Sequence, residues 1–491
     1  MEKSYRRVPD KVAITDGETE WTFARLRGFA AAGARSLSGF GNAPVAVVMD
    51  KSPLAIAVFL AVLYSGRAYV PLSKDLGAAR INAVLSNVEP TVVVTDDAEF
   101  SRGLTYDCAV LEASQIGSAD AELPDSADAE PLDLPDTSTA FILHTSGSTG
   151  VPKCVPLSHR NAVTCVESLS RILDASEDSR FGVQVPLTGV AAVKDVYLSL
   201  KLGATLVLLP KTLFVTPVKL VEFLNAQRVD TLMWVASALS LVSRLGTFGT
   251  VKPEHLRNVT FTGEPMNPEQ LRVWKSALPH VKFYNHYGHT EVCACSAYFA
   301  VGDSVPDVIP VGRHVPNTGL MIIADDGTEV TAPGVEGELY ISGSRVAAGY
   351  YNDPERTAQS FVRNPLHSRF PDIVYKTGDL AKYNLDGDIV LTSRRDHLIN
   401  LMGYRIELGE LELQACKSDG VQAACAVHDS ARTRIVLFYV GAAEESALRA
   451  HLKLALPSYM LPQRVVRLQT LPMTVTGKTD RMKLADMAKE Y

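Results

Sequence analysis

The sequence predicts an α/β protein of two or three domains, and three observations carry that expectation. Short apolar runs that look like buried strands alternate with helical patterns, which argues a mostly parallel sheet covered on both faces. A chain of 491 residues is too long for one core. Hydrophobic residues at 46% and charged ones at 21% describe an ordinary globular composition.

Each element has its own signal. Residues 11–23 alternate apolar and polar around Asp16-Gly17, which predicts a hairpin. An Ala-rich helical pattern runs from Leu26 to Leu37, and Val45 to Met49 reads as a buried strand. Leu54 to Tyr64 is the longest apolar stretch; too short to span a bilayer, it predicts a buried helix. The chain turns at Gly66, returns through an apolar run to residue 74, and forms another short strand at Val92 to Thr95. Residues 117–138 are acidic, Pro-rich and poor in aromatics, as an exposed connection is. Between 180 and 210 the pattern is strand, turn, helix, strand; at 258–265 a strand runs into Gly263-Glu264-Pro265. Alternation around Leu339 and Ile341 predicts barrel-like strands. From residue 404 onward, strand-like CAVHDS and RIVLFYV alternate with helical ESALRAHLKLAL, as in a small α+β domain.

Composition excludes several classes. The formal charge of −7 gives no support to a nucleic-acid partner. No stretch suits a membrane span, and the N-terminal MEKSYRRVPDK lacks the apolar core of a signal peptide. The seven cysteines are scattered, with only Cys293 and Cys295 close together, a weak metal signal. Reduced thiols in a cytoplasmic protein are the expectation.

The stretch with the clearest chemistry is Phe141 to Lys153, FILHTSGSTGVPK. A buried strand leads into Thr145, Ser146, Gly147, Ser148, Thr149 and Gly150, with Lys153 just beyond. Glycines let the backbone wrap an anion, the hydroxyls add donors, and the lysine adds positive charge: a set suited to polyphosphate. A flexible Ser/Gly linker is the usual meaning of such composition, but the strand before it and the apolar chain after it weigh against that. It is not a Walker A loop, because GxxxxGK[ST] cannot be laid on it.

T-S-G-S-T-G-x-P-K resembles the signature loop of the adenylate-forming superfamily, which comprises acyl-CoA synthetases, luciferases and the adenylation domains of nonribosomal peptide synthesis. Further motifs follow in family order: GRAYVPL, the Gly263-Glu264-Pro265 turn, YNHYGHTE (284–291), EGELYISGSRVAAGYY, YKTGDL (375–380), SRRDHLINLMGYRIELGELE (393–412), LPSYMLP and TGKTDRMKL (476–484). The resemblance runs from about Trp21 to Leu484. It implies a large N-terminal domain of α/β sheets with a barrel-like part (residues 1–395), hinged at Asp396 to a small mobile α+β domain (396–491).

The resemblance also assigns roles. ATP and Mg2+ are the implied cofactors. Gly263, Glu264 and Pro265 pack against adenine, Tyr287 lies along it, and Asn285 reaches its amino edge. Thr290 and Glu291 serve the α-phosphate and Mg2+, Asp379 takes the ribose hydroxyls, and Arg394 supports the ribose. Lys478 bridges the substrate carboxylate and the α-phosphate, offsetting charge during attack. In relatives the Met402-Gly403-Tyr404 loop lines the pantetheine route. The acid pocket is formed by Val190, Ala191, Lys194, Ser237, Thr260, Thr262, His286, Ala294 and Cys295.

Two departures bear on the substrate. Gly189 and Val190 stand where amino-acid-activating relatives carry an aromatic residue and the aspartate that pairs the α-ammonium; a buried ammonium without a carboxylate is costly. Lys194 and Asp195 open the following helix, where a substrate contact and a solvated first-turn charge are equally expected. His286 and His289 are expected to be satisfied structural histidines. The implied activity is ATP-dependent activation of an amino acid or related small carboxylic acid, then transfer to the phosphopantetheine of a separate carrier protein, because the chain ends soon after Lys478. The alternatives are a coenzyme A ligase and a non-catalytic relative acting as a binding partner.

Overall fold

Val, Ile and Leu fill the short strands with few polar interruptions, and such strands are stable only when both faces are covered. In the computed structural model, which describes residues 1–117, 131–145, 152–395, 398–473 and 479–491, the strands of those residues form five sheets. A six-stranded sheet has the order Ala109–Glu112, Val92–Thr95, Val45–Val48, Tyr69–Leu72, Thr139–Thr145, Lys153–Ser158. It is parallel except for its last pair, which runs antiparallel with Thr145 opposite Lys153. The Ser/Thr/Gly loop therefore connects the ends of two neighbouring strands; its residues Ser146, Gly147, Ser148, Thr149 and Gly150 lie outside the described residues.

A nine-stranded sheet lies beside it. Its centre is parallel, in the order Lys282–Tyr287, Asn258–Thr262, Thr231–Val235, Arg180–Val183, Thr205–Leu208, Val12–Thr15. Antiparallel strands close both edges, and one of them, Glu20–Thr22, is the second arm of the hairpin expected at Asp16-Gly17. The apolar helix Pro53–Tyr64 is buried nearly all round; Ser52 caps it by accepting from the Ala55 N–H, and Pro53 takes the first turn, where no donor is missed. Phe59 stacks on Tyr69 with ring centroids 4.4 Å apart, and the Tyr69 and Tyr197 hydroxyls meet at 2.9 Å. That chain of rings joins the six-stranded sheet to the helix Val190–Leu202 of its neighbour.

The part expected to be barrel-like is a five-stranded antiparallel sheet. The long strand Ile373–Tyr383 pairs Gly337–Gly343, Phe361–Arg363 and Ile389–Arg394, and Thr318–Ile323 lies beyond Gly337–Gly343. After residue 398 the chain builds a body with its own core, in which Ile406, Leu411, Leu437, Leu448 and Leu452 are fully buried. It contains the hairpin Leu398–Leu401 and Tyr404–Glu407, and a sheet of Val421–Asp429, Arg434–Gly441 and Arg464–Leu468. Met402 and Gly403 both have positive φ, as a two-residue hairpin turn requires.

Candidate active site

Parallel sheets place loops and helix N-termini together at the carboxyl ends of their strands, where ligands bind. Here that edge gathers the start of helix Val190–Leu202, Ser237 after strand Thr231–Val235, Gly263 and Glu264 after strand Asn258–Thr262, and the loop after strand Lys282–Tyr287. In the strand register Thr262 lies beside His286 and Thr260 beside Tyr284, so Thr260, Thr262 and His286 share one face. The loop after Tyr287 folds back tightly. A Cβ on Gly288 would stand 1.4 Å from the Ala294 carbonyl oxygen, so only glycine fits there. Cys293 and Ala294 take left-handed backbone, and the Ser296 N–H donates to the Tyr287 carbonyl at 2.7 Å. This return brings Cys295 near Lys194 and Arg345, the same two cations that act on His286.

Strand Lys282–Tyr287 and strand Ile373–Tyr383 meet through a buried cluster. The Tyr287 phenol donates to Asp379 Oδ2, His289 Nε2 stands 2.8 Å from the same oxygen, and Arg394 pairs with Oδ1. Burial pushes the Asp379 carboxyl up, but His289, Arg394 and the Tyr287 hydroxyl outweigh it and hold the group at about 2. Tyr287, Asp379 and Arg394, read from three separate motifs, thus form one contact network. His289 is the satisfied histidine expected, and its partners are those same residues. Asn285 sits on the same strand, its amide donating to the Pro310 carbonyl at 2.8 Å.

Glu291 is completely buried on the short helix Thr290–Val292. Its Oε1 accepts from the Tyr350 hydroxyl at 2.9 Å and its Oε2 from Arg405 at 2.7 Å. Desolvation raises its pKa, and the Arg405 guanidinium, followed by His289, brings it down to about 2. Two residues beyond Arg405 on the same strand, Glu407 accepts from Lys153 at 2.6 Å. The small body therefore presents a cation to Glu291 and an anion to Lys153 from one strand, Tyr404–Glu407. Its turn also reaches the pocket edge. Glu264 accepts from the Gly403 N–H at 2.9 Å and the Ser237 N–H at 3.1 Å, and a Cβ on Gly403 would crowd Val235 at 3.0 Å. Arg80 and Glu410, both buried, add a further ion pair between the bodies at 2.5 Å.

One of two open alternatives is excluded and one expectation is corrected. Lys194 and Asp195 are not solvated first-turn charges: they are 2% and 1% exposed, on a helix that packs on strands Arg180–Val183 and Thr205–Leu208. Lys194 donates to the Met233 carbonyl at 3.0 Å and stands 3.8 Å from Asp195. His286 is not a satisfied structural histidine: it is buried, and neither ring nitrogen has a hydrogen-bond partner among the described residues. Burial, with Lys194 and Arg345 nearby, pushes it down to about 3, so the ring is neutral. Val190 is the first residue of the helix after Gly189, half-buried beside Ala191. Thr145 is buried at the end of its strand, its hydroxyl unpartnered among the described residues. Gly263 and Pro265 are exposed. Asp396 and Lys478 lie outside the described residues.

Sequence reading misses Arg405, Glu407, Tyr350 and Arg345. The first two lie within GYRIELGELE, which reads as a family signature only. Arg345, completely buried, holds the Cys295 and Thr164 carbonyls behind the pocket. Among the described residues no group of three His, Cys, Asp or Glu side chains could hold a metal. A lone buried carboxylate such as Glu291 still fits Mg2+, which binds through one or two carboxylates plus water and phosphate oxygens. The fit requires Arg405 to withdraw.

Sheets, crevice and docked small body together define the adenylate-forming class. The family model described as AMP-binding enzyme matches residues 1–351, and the AMP-binding enzyme C-terminal domain matches 410–478. The chain is 31% identical over 474 residues to L-proline--[L-prolyl-carrier protein] ligase of Streptomyces coelicolor, covering 90% of this chain and 86% of that protein. It is 31% identical over 501 residues to gramicidin S synthase 2 of Brevibacillus brevis, covering 100% of this chain but spanning only 11% of that protein's length. The crystal structure of IdnL1 superposes with a TM-score of 0.80 at 27% identity, covering 96% of this chain and 97% of that one. The chain belongs to the AMP-binding enzyme family.

Proposed function

We propose that this protein activates a small carboxylic or amino acid as its acyl-adenylate and passes the acyl group to the phosphopantetheine thiol of a separate carrier protein. The observation that supports it most is the pair of carboxylates kept ionised in one buried site: Asp379 beside Tyr287 and Arg394, and Glu291 near Lys153. A nucleotide offers matching partners for both. Asp379 accepts hydrogen bonds from the ribose hydroxyls, steadied by Arg394, and Tyr287, Asn285 and the Gly263–Pro265 turn receive the base. The Ser/Thr/Gly loop with Thr145 and Lys153 binds the β- and γ-phosphates. Thr290 orients the α-phosphate. Glu291 would hold Mg2+, which when bound neutralises phosphate charge.

In the first step an oxygen of the acid's carboxylate attacks the α-phosphorus, the bond to the β-phosphate breaks, and pyrophosphate leaves. Lys478 offsets the charge that builds between the two anions. In the second step the small body turns about Asp396, the carrier's thiolate sulfur attacks the acyl carbon, and AMP departs. The large body then comprises residues 1–395 and the mobile one 396–491. The name of the Streptomyces coelicolor relative supports a carrier protein as acceptor. The seven free thiols, and the absence of any helix among the described residues long and apolar enough to cross a membrane, suit a cytoplasmic setting.

The test is acid-dependent exchange of labelled pyrophosphate into ATP, across α-amino, β-amino, hydroxy, aryl and dicarboxylic acids. A single strong responder, lost in Lys478→Ala with the fold retained, is expected. Exchange undiminished in Lys478→Ala would remove the mechanism.

A further inference from the structure

The floor of the acid pocket carries more buried positive charge than its protein groups balance. Lys194 has three donors; one goes to the Met233 carbonyl, and its nearest carboxylate, Asp195, is 3.8 Å away, beyond hydrogen-bonding distance. Lys51, whose ammonium rests on the Val183 and Gln184 carbonyls, and the fully buried Arg345 act on the same cluster. Against these three cations stand one carboxylate, Asp195, and the Cys165 thiol, whose pKa is brought down by its hydrogen bond with Cys293 and by Arg345 and Lys194. Burial pushes the Asp195 carboxyl up to about 7 in spite of Lys194 and Lys51, so it supplies only part of a negative charge near neutrality.

Both Asp195 oxygens lack a hydrogen-bond partner among the described residues, and so do three further polar atoms that can donate. His286 has neither nitrogen bonded, and the fully buried Thr260 hydroxyl has no partner among the described residues. Buried polar groups are almost always satisfied, so such a group calls for an occupant that satisfies it. Lys194 can only donate; His286 in its neutral form and Thr260 can each donate one hydrogen. An occupant bearing an ammonium would bring a fourth cation next to Lys194; Val190 offers it no carboxylate, and Asp195, whose carboxyl burial pushes up to about 7, already faces Lys194 at 3.8 Å. An occupant bearing an anion supplies what three donors and the surplus positive charge lack.

We propose that the activated acid carries a second carboxylate at its far end, received by Lys194 with hydrogen bonds from His286 and Thr260. The substrate is thus a small dicarboxylate, activated at one end and anchored at the other. This rests on the adenylation reading above.

Pyrophosphate exchange is measured for a series of linear dicarboxylates of three to six carbons, for the monoamide of each, and for α- and β-amino acids. Wild type, Lys194→Met and the charge-neutral double variant Lys194→Met/Asp195→Asn are compared; the double variant avoids leaving Asp195 without its cation. At least one dicarboxylate is expected to exceed its own monoamide in kcat/KM by tenfold or more. Either variant should erase that preference, chiefly through KM. Exchange driven better by a monoamide or an amino acid overturns the dicarboxylate assignment while leaving adenylation intact. A preference that survives both variants overturns the role of Lys194. Silence with every acid, together with no hydroxamate trapped by hydroxylamine, overturns the adenylation reading and this inference with it.

Discussion

Replacing Arg405 by methionine removes the cation that the small body holds against Glu291. Burial alone would raise that carboxyl above its ordinary 4.5; Arg405 is the largest of the groups that bring it to about 2 instead. A charge-assisted hydrogen bond such as this one contributes about 1.5–3 kcal/mol to the docked arrangement. Since 1.36 kcal/mol is a factor of ten, docking through this pair competes with anything else that needs Glu291 by about one to two orders of magnitude. In the proposed reaction Mg2+ with ATP uses Glu291, and the phosphates use Lys153, which Glu407 holds at 2.6 Å. On that reading the Tyr404–Glu407 strand and the loaded nucleotide exclude one another. Calorimetric titration of ATP in the presence of Mg2+, with no acid added, reads this competition directly. Arg405→Met should bind up to about a hundredfold more tightly than wild type, and Arg405→Lys, which keeps a point charge without the guanidinium fork, should fall between. Binding by Arg405→Met that equals or falls below wild type would refute the competition.

Two further outcomes follow from buried charge. His286 is held at about 3, so between there and its unfolded value near 6.5 only the unfolded chain takes up the proton, and stability falls as pH falls. His286→Phe removes that contribution, so the difference in unfolding free energy between wild type and variant should shift by about 1.4 kcal/mol per pH unit from pH 6.5 downward. Arg80→Met strips a buried partner from Glu410 and should weaken docking of the small body by about 3–5 kcal/mol, read as faster limited proteolysis between the two bodies, with Glu410→Gln milder.

What could be read from the sequence divides along physical lines. Period and turn chemistry are local, so the Asp16-Gly17 hairpin, the buried helix after Ser52 and the strand–helix–strand at 180–210 are all where the pattern puts them. Motif residues with a fixed chemical partner are legible too: Tyr287 and Asp379 lie 92 positions apart, yet they meet, with His289 and Arg394, at one carboxylate. Burial of individual charges is not local. Nothing in VAAVKDVYLSL tells which face packs on strands Arg180–Val183 and Thr205–Leu208, so Lys194 and Asp195 look as ready for water as for the pocket. His286 looks structural for the same reason: whether a buried imidazole is satisfied depends on neighbours from Thr262, Lys194 and Arg345. Arg405 and Glu407 carry a family signature, but their partners Glu291 and Lys153 are 114 and 254 residues away, and only docking of the small body reveals the exchange of charges.

In the proposed first step a carboxylate oxygen of the acid attacks the α-phosphorus of ATP. An acid labelled with oxygen-18 in its carboxylate, turned over with ATP and a phosphopantetheine-bearing carrier protein or coenzyme A, tests it by mass spectrometry of the nucleotide product. Attack through carboxylate oxygen leaves one labelled oxygen on AMP when the thiol takes the acyl group, and that is the predicted result. Label in inorganic phosphate with ADP as the product, or AMP without label, would contradict it.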